Sequence, residues 1–158
     1  MNLYFAYGMN TNLEEMRQRC PKALNCGHAV IEDYRLAFRG VADFEYQENY
    51  NLHGVLWLIS EDCEKALDKL EGYPTLYDKH YMSAKVIKSK MISIPEHIEL
   101  PIMIYKMFDD TFNPPFKYYY DCLKNGYKAN NLPMKQLERA KNYSVQHSKK
   151  ITYLLEAK

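Results

Sequence analysis

The chain has 158 residues, 47% of them apolar, with a formal net charge of +1. This balance fits one folded domain and argues against a disordered chain. It lacks the concentrated basic excess of a nucleic-acid surface, and no run of about 18 apolar residues offers a membrane span.

Leu3–Tyr7 is aliphatic and aromatic and too short for a helix, so it reads as a central strand ending at Gly8. Thr11-Asn12-Leu13-Glu14 then has the form of a capping box. It opens a helix that carries Leu13, Met16 and Cys20 on one side and stops before Pro21. Ala29–Phe38 reads as a strand, Asp43–Asn51 as a hairpin region, and His53–Ile59 as a buried strand. Ser60 is a helix N-cap followed by Glu61, Asp62 and Glu64, which favour the positive helix end. Cys63, Ala66, Leu67 and Leu70 form an apolar stripe, and Gly72 and Pro74 end the helix. Tyr81–Ile94 is strand-like, Pro95–Leu100 a loop and Pro101–Phe108 a further strand. Asn113-Pro114-Pro115 breaks the chain before a helix from about Phe116 to Tyr127. A last helix starts at Leu132-Pro133 and runs to about Asn142. Ile151–Leu155 is open between strand and terminal helix. The expected organisation is a single α+β domain over 1–158, with 144–158 as an extension.

The four cysteines, Cys20, Cys26, Cys63 and Cys122, contain no C-x-x-C pair, and no histidine pair flanks them at zinc spacing. No metal or cofactor is expected. The start of the chain has no basic and apolar leader pattern. The expectation is therefore a cytoplasmic protein with reduced thiols.

Two segments carry the chemistry. Gly8 follows a buried strand and precedes a helix start, so the N–H groups from Gly8 to Asn10 are placed to receive an oxyanion or anion. Glu71 stands in the last turn of its helix, at the negative dipole end and among apolar and aromatic neighbours. Both influences raise a carboxyl pKa toward the range useful for proton transfer. Read singly, the first is an anion site with a connecting turn as its alternative, and the second a solvated helix end. Read together, they are a donor loop and an acid/base.

The segments YFAYGMN, HGVLW, LDKLEGYPTLY and PPFKYYYDCLKNGYKANNLP occur in this order. They resemble the signatures of the gamma-glutamylcyclotransferase-like family, YFAYGSN, GVLW, LDxxEG…Y and Y…G…NGLP. The resemblance spans roughly residues 3 to 140. It implies a small closed mixed β-barrel with surrounding helices. It also implies a cofactor-free reaction in which a γ-glutamyl amide closes to 5-oxoproline and releases an amine. Glu71 matches the family's general acid/base. Tyr4, Phe5 and Ala6 lead into the loop Tyr7-Gly8-Met9-Asn10 that grips the glutamyl end. Tyr77, Tyr105 and Tyr119 match pocket tyrosines, with Tyr118 the alternative if the register slips by one. The loop serine of the family is Met9 here, and NGLP is Asn130-Asn131-Leu132-Pro133. The implied partner is a small γ-glutamyl substrate, with neither nucleic acid nor membrane. The released amine and the oligomeric state stay open, a homodimer included. A non-catalytic ligand-binding protein on the same fold is the alternative reading.

Overall fold

A computed structural model describes residues 1–148 and 156–157. Five strands close into a barrel in the order β1-β3-β2-β4-β5. They are β1 (Asn2–Ala6), β2 (Leu24–Phe38), β3 (Ala42–Ile59), β4 (Tyr77–Ser89) and β5 (Glu99–Met107). Neighbours pair antiparallel except at the closure, where β1 meets β5 in parallel with Tyr4 opposite Met103. Helices α1 (Leu13–Arg19), α2 (Glu61–Glu71), α3 (Lys117–Ala129) and α4 (Met134–His147) accompany it. The expected α+β fold, a small closed mixed barrel with surrounding helices, is the observed one. The expectation for Ile151–Leu155 lies outside the described residues.

Phe5, Phe38, Phe44, Leu52, Leu56, Val86 and Ile104 are among the buried side chains of the core. Each such burial stabilises by about 1.5–3 kcal/mol. Ser60 Oγ accepts from Cys63 N at 3.2 Å, as its N-cap position predicts. Gly72 ends α2 in the left-handed conformation at φ 66°, which glycine adopts at no steric cost. Asn131 at φ 54° takes the left-handed turn in the place of a family glycine.

Several local expectations are corrected. The Thr11–Glu14 capping box does not form. Asn12 is the cap, its Oδ1 accepting from Glu14 N at 3.1 Å and Glu15 N at 3.2 Å. Thr11 instead closes a 3₁₀ turn over Met9–Thr11, its hydroxyl donating to Gly8 O at 2.7 Å. Asp43–Asn51 is the first half of a long strand, and the hairpin turn falls at 39–41. Polar residues there mark the open face of a strand rather than a turn. The last helix runs on to His147.

The cysteines differ too. Cys20 and Cys63 form a disulfide across 43 residues, while Cys26 and Cys122 are free. Both partners belong to the apolar sides read for their helices. Packing those sides against one core brings the sulfurs together, which no local spacing announces.

Candidate active site

One end of the barrel gathers the exit of β1, the β2–β3 turn, the start of β4 and the end of β5. The C-terminus of α2 arrives at the same end. They enclose a cavity of about 260 Å³. Tyr4, Tyr7, Gly8, Met9 and Asn10 enter from β1 and its loop, Arg19 from α1, and Val41 and Ala42 from the hairpin. Leu70, Glu71 and Leu76 come from the α2 end, and Tyr77, Tyr105 and Tyr119 from β4, β5 and α3. Of the residues expected from sequence, only Phe5 and Ala6 do not line it, being buried in the core. Tyr119 faces the cavity, whereas Tyr118 is 78% exposed on the outer side of α3.

The loop after β1 is held from several sides. Trp57 Nε1 donates to Asn10 O at 3.0 Å, and Tyr127 Oη donates to Tyr7 O at 2.6 Å. Asn130 Nδ2 donates to Thr11 O at 2.8 Å, tying the end of α3 to the loop. Gly126 lets α3 approach, since a Cβ there would lie 2.4 Å from Thr11 Oγ1 and 2.6 Å from Asn12 N. Gly8 is required by proximity rather than by a left-handed turn. Its φ is −117°, and a Cβ would lie 2.9 Å from that of Ala42. The first amides of a helical turn have no acceptor within that turn, so the N–H groups that open this loop are left for a partner from outside it.

The five tyrosines divide by where their protons go. Tyr7 Oη donates to Tyr105 O at 2.6 Å, Tyr77 Oη to Ala42 O at 3.0 Å, and Tyr105 Oη to Asp68 Oδ1 at 2.6 Å. Tyr4 Oη instead accepts from Asn10 Nδ2 at 2.9 Å, and Tyr119 Oη accepts from Ala42 N at 2.9 Å. Tyr4 and Tyr119 therefore keep an O–H proton uncommitted to any described residue. Burial, reinforced by the Glu71 charge, pushes both phenols up, so they remain protonated donors.

Glu71 is half-buried and makes no hydrogen bond or ion pair with a described residue. Burial raises its carboxyl from 4.5 to about 7, against the pull of the Arg19 charge. Arg19 itself bonds Asn10 Oδ1 and pairs with Glu15 at 3.3 Å. Asp68, three residues before Glu71, accepts from Tyr105 and from Lys79 Nζ at 2.7 Å.

Sequence reasoning missed Arg19, Val41, Ala42, Leu70 and Leu76 in the lining and Asp68 behind Tyr105. Asp68 carried a signal, because positions three apart share a helix face. Arg19 carried none, since its approach depends on how α1 packs. No residue of Asp43–Asn51 and none of the described residues beyond Tyr143 lines this cavity. Asn49, Tyr50, Asn51, Tyr143 and Gln146 instead line a second one near α4.

The profile of the family described as "Gamma-glutamyl cyclotransferase, AIG2-like" matches residues 4–119. The chain belongs to that family. It is accordingly an enzyme of the gamma-glutamylcyclotransferase type. It is 27% identical over 151 residues to the gamma-glutamylcyclotransferase of Mus musculus, covering 88% of this chain and 77% of that one. Its identity to the Homo sapiens protein of the same name is 26% over 151 residues, with the same 88% and 77% coverage. A solved gamma-glutamyl cyclotransferase superposes with a TM-score of 0.75 at 24% identity, over 89% of this chain and 86% of that one. At that identity the superposition establishes the fold alone. Among the described residues, no helix is long and apolar enough to cross a membrane.

Proposed function

We propose that this family member closes a γ-glutamyl amide to 5-oxoproline and releases the free amine, with Glu71 moving the protons. The observation that carries this reading is the Glu71 carboxyl, unpaired in the cavity and raised to about 7. A group of that pKa both takes and returns a proton near neutral pH.

In the reaction, the α-amino nitrogen of the glutamyl group attacks its own γ-carbonyl carbon. Glu71 takes the proton that the ammonium must lose. The new C–N bond closes the five-membered ring while the negative charge moves onto the carbonyl oxygen. As the carbonyl reforms, the bond to the leaving nitrogen breaks and Glu71 returns its proton to that nitrogen, while the second proton that the ring nitrogen sheds ends on the released amine, which leaves as the ammonium. Substrate atoms are conserved between 5-oxoproline and the amine, so no co-reactant is consumed. Holding the two reacting ends together contributes up to about 7–11 kcal/mol in ideal intramolecular cases. The loop amides of Gly8–Asn10, with Arg19 beside Asn10, suit the anionic glutamyl carboxylate. The uncommitted hydroxyls of Tyr4 and Tyr119 suit the oxygen that gains charge. Met9 leaves the loop its backbone donors but no side-chain hydroxyl.

The test is 5-oxoproline release from a panel of γ-glutamyl amides. Wild type should release it, and Glu71→Gln should lose at least about 100-fold in kcat while staying folded. Ligand binding without product on long incubation would favour the non-catalytic reading. Cytoplasmic placement is also part of the proposal. The Cys20–Cys63 disulfide weighs against it, because cytosolic thiols are kept reduced. Thiol labelling of the protein in fractionated cells decides that point.

A further inference from the structure

Four apolar side chains line the same cavity as Glu71: Met9, Val41, Leu70 and Leu76. They come from three separate segments, the β1 loop, the β2–β3 turn and the end of α2. Val41 is 37% exposed, Leu70 49% and Leu76 62%, so they form a rim and not a core. The rim is a fixed one. Leu76 N donates to Gly72 O at 2.8 Å, and the Leu76 side chain lies 3.0 Å from where a Gly72 Cβ would stand. Asp43 pins the hairpin tip beside Val41. It accepts from Arg39 Nε at 3.1 Å, Lys106 Nζ at 2.8 Å and Met107 N at 3.0 Å. Among the described lining residues the only charged side chains are Glu71 and Arg19, and Arg19 is bound to Asn10 on the glutamyl side.

We infer that the leaving amine is apolar, an alkyl or arylalkyl amine without a second charge, and that Val41, Leu70 and Leu76 select it. The inference rests on the cyclotransferase reading and deepens it by naming the substrate class. A carboxylate or second ammonium on the amine would enter a rim where no described lining residue besides Glu71 offers a free counter-charge, and would lose water without compensation. An aliphatic chain would cover exposed apolar surface that nothing else among the described residues covers.

The experiment measures 5-oxoproline release from four γ-glutamyl amides, those of methylamine, isopentylamine, the lysine ε-amine and glucosamine. The isopentylamide should exceed each of the others by at least about tenfold in kcat/KM, the range one apolar pocket discriminates. Leu76→Ser and Val41→Ser, both at exposed positions, should raise KM for the isopentylamide by a larger factor than KM for the methylamide. Turnover that is equal or faster for the lysine or glucosamine amide overturns this inference and leaves the cyclotransferase reading standing. An unchanged KM for the isopentylamide in both serine variants also overturns the inference alone. No release from any of the four amides overturns the cyclotransferase reading and the inference with it.

Discussion

At Glu71 two charges-in-waiting compete, and the balance sets a pH dependence. Burial favours the protonated form and Arg19 favours the ionised one, with burial ahead at about 7. Attack needs the carboxylate, so kcat should rise with pH along a limb near 7. Removing the cation in Arg19→Gln raises the carboxyl pKa further, and the limb moves to higher pH. A pH–rate profile of both proteins checks this. Stability moves the other way. The folded state holds the Glu71 proton more tightly than the unfolded chain, whose value is near 4.5. The stability this gives is full below 4.5 and lost as pH rises to 7. Glu71→Gln is free of that loss. It should match wild type in acid and exceed it above neutrality by about 1 kcal/mol, discounted for partial exposure. Thermal melts at acid and alkaline pH read the difference. Glu71 itself was legible from its place at a helix end among aromatics. The uncommitted protons of Tyr4 and Tyr119 were not, because their partners, Asn10 Nδ2 and Ala42 N, are set by packing.

Two joints between elements carry the site. The first is α3 against the β1 loop, where Gly126 leaves room for Thr11 and Asn12. A methyl group there meets backbone at 2.6 Å, so Gly126→Ala must push the helix away from the loop. It should cost about 1–3 kcal/mol in denaturant unfolding and raise KM through the displaced amides. The second joint is the disulfide between the end of α1 and the first turn of α2. It sits one residue after Arg19 and eight before Glu71, so it ties together the supports of the two charges. Cys63→Ser should lower stability by about 2–4 kcal/mol, as a closed loop of this length implies. Cys122→Ser, at a free half-buried thiol and breaking no disulfide, is the control for calorimetry. The helices, and both ends of α2 at Ser60 and Gly72, were readable along the chain. The joints were not, since each depends on residues far apart in the chain.

For the whole molecule, the barrel makes one cooperative body of elements that are weak alone. The parallel seam at Tyr4 and Met103 closes it, and the single Trp57 is buried in β3 with its indole bonded to the loop. Unfolding should therefore be a single transition, with tryptophan fluorescence and far-UV circular dichroism coinciding in denaturant. Two separate midpoints would mean that the chain is not one domain. The amino-acid sequence by itself determined the strand and helix types, the acid at the end of α2 and the donor loop after β1. Hydrophobic period and capping residues act within a few positions, so they can be read along the chain. Only the tertiary structure decided the disulfide, the hairpin turn at 39–41, the presence of Arg19 and the apolar rim of the cavity. Each of these is a meeting of segments tens of residues apart, made when separate apolar faces bury themselves in one barrel core.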